Sequence, residues 1–530
     1  MSFANVAIEG SFWVLMILLL FFFSLLIQHI SDQSITTLFD VALVVVLFSF
    51  FLKISKQPSC PPPQEKKYIP FSRFQLPSIQ AILFISALIP RITVVLLFRA
   101  EPFNDFSRYF RAAQQWYKGD TSFMQPNEEF GNFFVNFPDS FGFVKYQSIL
   151  VSLFGNNPIL FQLSNCLTTA VICVLIYVLA KKINQHAAVL ASLLYAIYPP
   201  NIFFTTVLTN QHMATLLALL SIWILLRKPT KSGLNVILAG ISGLIIGFSH
   251  LIRPESQPYV LALFILLVMN LLSSFRHKKS RTPLNRITLI SVPVVFIAVY
   301  FAVISSFGLY LRSCDITDTS SDLRYKFVTG LSYESMGRFH PGLYSEFFAS
   351  NTEHRNSMLR KQVSYYVHSP QRFVLLQSAK ASTQYAETDP ALFWALDNKR
   401  QNNSERISAG AASSGNYINI RFFEDLDLLH RKITDPFYGL ILMLGIYGLW
   451  RMRKSPVFSI PSALMLTTVI HILVYMFIEV QPRYRYLDMP AFFIFGALGL
   501  VSLLESYRPV FSTLSKLATP STESLTFSER

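Results

Sequence analysis

Runs of about 20 uninterrupted apolar residues, enough for a helix to cross some 30 Å of hydrocarbon, recur along this chain. They leave it little choice but to fold as a bundle of membrane-spanning helices. Spans are expected near residues 11–30, 36–53, 78–98, 158–180, 187–203, 211–227, 234–252, 257–274, 286–308, 434–450, 456–478 and 487–505. An all-α polytopic protein of about 12 transmembrane helices follows, because each backbone N–H and C=O within hydrocarbon needs a partner inside its own segment. Composition agrees: 52 % of residues are apolar and only 14 % charged, against roughly 25 % charged in soluble domains. The 49 Phe and 23 Tyr suit helices that face lipid and end at headgroups. The first run follows a leader that lacks both a basic region and a small-residue cleavage site, so it reads as an uncleaved anchor helix.

Basic residues set the expected orientation, since short loops rich in Lys and Arg stay in the cytoplasm. One alternate set of loops carries Lys53, Lys56, Lys66, Lys67 and Arg73, then Lys181 and Lys182, then Arg227, Lys228 and Lys231. It continues with Arg276, Lys278, Lys279, Arg281 and Arg286, and ends with Arg451, Arg453 and Lys454. Both termini are therefore expected inside. The opposite short loops carry almost no basic residues apart from Arg253 and the pair Arg483 and Arg485. Topology accounts for much of the net charge of +15, which removes the main argument for nucleic-acid binding. Cys60, Cys166, Cys173 and Cys314 form no disulfide framework.

The expected organisation is two N-terminal helices with a basic cytoplasmic loop (1–77), then a transmembrane core (78–308) with a first outer loop (99–157). A large outer loop (309–433), C-terminal helices (434–505) and a cytoplasmic tail (506–530) follow. Outer segments of this length are usually functional. In the first, Phe106, Tyr109, Phe110, Ala113 and Trp116 recur at helical spacing and predict a helix lying on the membrane interface. In the second, the polar stretch NKRQNNSERISAGAASSGNYIN reads as a mobile loop.

Asp105, in AEPFNDFSRYFRAA, is the most informative single residue. A carboxylate beside an interfacial helix suits proton abstraction from a hydroxyl held near a headgroup. The same residue, or Asn104, also suits the N-cap of that helix, and both roles are compatible. Arg253, with Glu255 in HLIRPESQP, and Arg483 and Arg485, in EVQPRYRYLDMP, suit bidentate binding of a lipid-linked phosphate or pyrophosphate. Against that stand an Arg253–Glu255 pair and snorkelling of the other two to ordinary lipid. Lys145 and Tyr146 offer a further phosphate contact or simple interfacial anchoring. The outward carboxylates Glu128, Glu129, Asp315 and Asp318 would suit a divalent cation, with solvated surface charge as the plainer account. No HExxH or Cys/His spacing points to zinc, and no Walker loop, GxGxxG or GxSxG elbow is present.

Five pieces in order carry a resemblance: NDFSRYFRAA, ILVSLFGNNPILFQLSN, AAVLASLLYAIYPPNIFFTT, FSHLIRPES and QPRYRYLDMPAFFIFGALGL. They resemble, in turn, the acidic first-loop motif, the LFG segment, the small-residue helix ending at Tyr-Pro, the Ile-Arg-Pro turn and the Arg-Tyr segment of type C integral-membrane glycosyltransferases. The similarity is strongest to bacterial relatives of the dolichyl-phosphate-mannose protein mannosyltransferases and of the lipid A aminoarabinose transferase. The resemblance implies inverting transfer of one sugar from a polyprenyl-phosphate carrier to an extracytoplasmic acceptor, whether protein, cell-wall polymer or lipid, with no nucleotide sugar. It implies Asp105 as base, Arg253, Arg483 and Arg485 as carrier-phosphate contacts, Tyr109, Glu255 and Tyr484 in support, and a multi-pass protein of the bacterial cytoplasmic membrane. Phe106 stands where many relatives have Glu, and Lys145 does not keep the relatives' spacing to LFG.

Two other readings compete. A transporter or flippase of lipid-linked sugars would place charge near the midplane, and Pro90 with Arg91 inside the third expected span favours it. A polysaccharide polymerase would share the long outer loop and the arginines but would not require an acidic motif directly after an early span.

Overall fold

The computed structural model describes residues 3–31, 78–227, 232–276, 283–314, 321–388, 390–396 and 414–518. Helices of eight or more residues are numbered here: α1 (Phe3–Ser31), α2 (Ser78–Phe98), α3 (Asn104–Tyr117), α4 (Phe141–Phe154), α5 (Pro158–Lys181), α6 (Gln185–Ile197), α7 (Gln211–Leu225), α8 (Ser232–Ile252), α9 (Gln257–Arg276), α10 (Pro283–Arg312), α11 (Leu323–Gly330), α12 (Pro341–Ala349), α13 (Thr352–His368), α14 (Pro370–Ala381), α15 (Ser414–Met452), α16 (Ile460–Tyr475) and α17 (Met489–Ala518). No β-strand occurs among the described residues.

Eight of the expected spans are borne out as such. Eight helices are long and apolar enough to cross a membrane, α6 and the following Pro199–Thr206 form one bent pair, and α7 and α16 are shorter apolar helices. The expected span at 36–53 lies outside the described residues, as do Lys53, Lys56, Lys66, Lys67, Arg73, Lys228, Lys231, Lys278, Lys279, Arg281, Asp315, Asp318 and the end of the tail. The stretch read as a mobile loop needs a correction at its end, because α15 already begins at Ser414 and runs unbroken into the apolar stretch Asp425–Met452. The rest of that stretch, up to residue 413, is outside the described residues.

Close helix crossings hold the bundle together. A Cβ on Gly448 would lie 2.0 Å from the Phe495 carbonyl oxygen, and one on Gly499 would lie 1.9 Å from that of Leu444. Only glycine therefore lets α15 and α17 approach so closely. Without a hydrophobic drive between helices in lipid, such approach is a main source of packing energy.

The bend after α6 has an atomic account. In a continuing helix the N–H groups of residues 199 and 200 would reach the carbonyls of Tyr195 and Ala196, but both residues are proline and have none. Arg91 of α2, fully buried, replaces them: Nη2 donates to Tyr195 O at 3.2 Å and Nη1 to Ala196 O at 3.0 Å. Nη1 also donates to Ala87 O at 2.7 Å. The charge in the span is thus a cap for a broken helix.

Orphaning two buried carbonyls costs about 1–3 kcal/mol each. Arg91→Ala is therefore expected to lower the thermal midpoint of the detergent-solubilised protein by several degrees, with partial recovery in Arg91→Lys. An unchanged midpoint would refute the capping role.

Candidate functional site

The polar site is built where α2, α8 and α16 end and α7, α9 and α17 begin. Gln211 Nε2, at the start of α7, donates to the Arg483 carbonyl at 2.6 Å. This holds the 3₁₀ turn Pro482–Leu487 against the end of α8, where Asn210 Nδ2 donates to Ile252 O at 3.3 Å.

Asp105 sits in the first turn of α3, where the helix dipole favours a carboxylate. The N-cap is Phe103, which makes no side-chain cap, so neither Asn104 nor Asp105 caps the helix as the sequence allowed. The carboxylate is half-buried, its Oδ1 3.2 Å from Arg108 Nη1, and both side chains are 43 % exposed. The apolar face of α3 also differs from expectation. Phe106, Phe110, Ala112, Ala113 and Trp116 are buried, and most pack with aromatic residues such as Phe123, Phe134, Phe141 and Phe161. Protein covers the face that was expected to lie on the membrane, and the helical period is the same for either cover.

Arg253 is 5 % exposed. Nη1 donates to Asn210 Oδ1 at 2.6 Å, Nη2 lies 3.1 Å from Glu255 Oε1, and the guanidinium stands 5.4 Å from the Tyr484 ring centroid. The pairing with Glu255 weighed from sequence therefore exists, within a larger constellation. Arg483 lies across the same tyrosine at 5.9 Å, over Trp394 at 4.9 Å and over Phe106, the neighbour of Asp105, at 5.4 Å.

Tyr109 shows how closely these groups share space. Burial raises its phenol pKa first, Asp105 and Asp139 raise it further, and Arg483 acts in the opposite sense.

Two of the expected cations lie elsewhere. Arg485, 1 % exposed, donates to the Glu387 carbonyl at 2.9 Å and lies 4.6 Å over Tyr438. Lys145 Nζ is held over Trp116 at 4.7 Å and Tyr310 at 5.4 Å. This aromatic seat accounts for Lys145 without a phosphate.

Sequence reasoning missed Asp139, Lys326, Glu479 and Asn210. Lys326, on α11, places Nζ 3.9 Å from Glu479 Oε2 and 5.5 Å over the Phe137 ring. Burial pulls its pKa down, but Glu479, Tyr484, Asp139 and Glu255 outweigh that and hold it above the ordinary lysine range. Asp139 accepts from Ser321 Oγ at 2.6 Å. Burial raises its carboxyl more than Lys326 and Ser321 lower it. Glu479 had a legible signal, being the one acid before the arginines in EVQPRYRY; Asp139 and Lys326 had none.

Among the described residues, no three His, Cys, Asp or Glu side chains converge as a metal ion would require. Glu129 is occupied by Arg111 at 3.2 Å and Gln115 at 2.7 Å.

The cluster thus juxtaposes an accessible carboxylate with one buried guanidinium, one half-buried guanidinium and an ammonium, walled by aromatic rings. Such a set can accept a proton on one side and stabilise a leaving anion on the other.

Residues 143–309 match the model of the dolichyl-phosphate-mannose-protein mannosyltransferase family. That stretch contains Asn210, Arg253 and Glu255, but neither Asp105 nor the arginine turn. Among solved structures the chain is similar to the archaeal oligosaccharyltransferase AglB from Archaeoglobus fulgidus, solved in complex with an inhibitory peptide and a dolichol-phosphate. The TM-score is 0.41 at 15 % identity, covering 83 % of this chain and 52 % of that one. The chain therefore spans about half the length of that protein. No curated protein matches the chain in sequence.

Proposed function

We propose, from the premise that residues 143–309 match the model of the dolichyl-phosphate-mannose-protein mannosyltransferase family, that the chain moves a sugar from a polyprenyl-phosphate carrier to an acceptor hydroxyl. Asp105 takes the hydroxyl proton as the oxygen attacks the anomeric carbon from the face opposite the phosphate. The bond between that carbon and the phosphate oxygen breaks, its electron pair leaves on the polyprenyl phosphate, and the anomeric configuration inverts. The departing phosphate is already an anion and needs charge stabilisation more than a proton. Arg253, Arg483 and Lys326 supply it, with Tyr484 and Glu255 orienting the arginines. One carboxylate with a cationic clamp suffices, unlike the paired carboxylates of glycosidases.

The observation that carries the reading is Arg483, which touches both halves of the site: Tyr484, shared with Arg253, and Phe106, next to Asp105. The excess of Lys and Arg in the opposite short loops supports a site on the non-cytoplasmic side of a bacterial cytoplasmic membrane. The acceptor is then an extracytoplasmic protein, wall polymer or lipid. The transporter reading loses its main support, because Arg91 has a structural task at the α6 bend. A polymerase would draw on the same arginines, but Asp105 beside them favours single-sugar transfer.

Purified protein in liposomes, given radiolabelled polyprenyl-phosphate sugar and an acceptor extract, is expected to pass label to the acceptor with inverted anomeric configuration. A nucleotide sugar is expected to yield none. Label that crosses the bilayer while still joined to its phosphate would replace this reading with transport.

A further inference from the structure

We infer that Tyr385 and Asp488 are positioning residues for the arginine turn, and that α1 is their brace. This rests on the reading above that Arg483 of that turn meets the carrier phosphate.

Asp488 joins the 3₁₀ turn Pro482–Leu487 to α17, and its side chain is fully buried. Its backbone is fixed on both sides: its N–H donates to Arg485 O at 2.9 Å, and its carbonyl accepts from Ala491 and Phe492 at 3.0 and 3.1 Å. Its Oδ2 is held by two further elements. The Tyr385 hydroxyl donates to it at 2.9 Å, and His471 Nδ1 of α16 lies 2.8 Å away. A fully buried carboxylate is expensive wherever it stands. Here it ties three elements together at the residue that ends the turn.

Tyr385 belongs to a π-helical turn, Ser382–Ala386, that extends α14. Thr383, Gln384, Tyr385 and Ala386 are each 2 % exposed or less, although the segment lies outside every apolar helix. The turn enters the bundle, where the Tyr385 ring stacks on Phe22 of α1 with centroids 4.2 Å apart and planes 7° from parallel. Phe22 is seven residues short of the end of the apolar stretch Ala4–His29, about 10 Å inside it at 1.5 Å per residue. The neighbouring Phe21 is 39 % exposed, whereas Phe22 is 2 % exposed. α1 thus reaches the site through one stacked ring: Phe22 holds Tyr385, Tyr385 holds Asp488, and Asp488 holds the turn bearing Arg483. This gives α1, which precedes the matched family segment, a task in the site's geometry.

The test uses the full-length protein in detergent, with Tyr385→Phe, Asp488→Asn, Phe22→Ala and the lipid-facing control Phe21→Ala. Hydrogen exchange of the peptide covering 482–487 is read without any carrier present, and polyprenyl phosphate alone is then titrated. Tyr385→Phe removes one hydroxyl and is expected to speed exchange in that peptide and weaken polyprenyl phosphate binding by about 3- to 10-fold, the effect of one hydrogen bond. Phe22→Ala is expected to act in the same direction and Phe21→Ala to change neither. Unchanged exchange in Tyr385→Phe and Phe22→Ala would overturn the inference even if Asp488→Asn fails to fold. Faster exchange in a protein whose wild type does not bind polyprenyl phosphate would support the bracing and refute the carrier reading instead.

Discussion

Asp105→Asn is expected to reduce sugar transfer by about 100- to 10,000-fold, the usual contribution of a positioned base, while polyprenyl-phosphate affinity stays close to that of wild type. The amide keeps the shape of the carboxylate but cannot take the acceptor's proton. Folding does not confound the result. The Asp105–Arg108 pair has both side chains 43 % exposed, and such a pair contributes well under 1 kcal/mol. Single-turnover transfer measured beside equilibrium binding separates the two effects. Undiminished transfer by the variant would remove Asp105 from the chemistry and direct attention to Asp139, the half-buried carboxyl linked to Ser321.

Arg253→Ala should be the most damaging change to the clamp, and it should act on folding and binding together. It leaves Glu255, whose side chain is 23 % exposed, without its cation, and Asn210 Oδ1 without its donor. Removing one partner of a largely buried ion pair costs about 3 kcal/mol, visible as a lower thermal midpoint. Loss of a charge-assisted bond to the carrier phosphate adds a drop of about 10- to 100-fold in affinity. Arg253→Ala with Glu255→Gln is expected to recover much of the midpoint but none of the affinity, because the second change removes the stranded charge without restoring a phosphate contact. Arg253→Lys should fall between, since an ammonium cannot reach Asn210 and Glu255 as a fork does. Wild-type carrier affinity in the double variant would take Arg253 out of the phosphate site.

The spans were readable because a 20-residue apolar run has one main physical outcome. Arg253, Arg483 and Arg485 stood out as candidates because basic charge on the wrong side of a topology rule needs a reason, Asp105 because it lies beside an amphipathic helix, and Tyr109, Glu255 and Tyr484 only through the resemblance. Arg485 shows where that reasoning stops. In a 3₁₀ turn successive residues rotate by about 120°, so Arg483 and Arg485, two positions apart, point to different surroundings. Lys145 fails for another reason: Tyr310, part of its aromatic seat, is remote in sequence and on a different helix. Asp139 and Lys326 come from separate segments with no periodic signal and meet only through the fold. The cover of α3 was illegible in principle, since lipid and a protein core ask for the same apolar stripe.

The replacement of two missing amide hydrogens by Arg91 has a consequence for how this chain can change over generations. Pro199 and Pro200 are tolerable because Arg91 exists, and Arg91 is tolerable in a span because the prolines leave carbonyls for it. Neither side can drift alone: losing the arginine strands two oxygens, and restoring ordinary residues at 199 and 200 strands a cation. Descendants should therefore keep all three or lose all three, a sign epistasis between helices about a hundred positions apart in the chain.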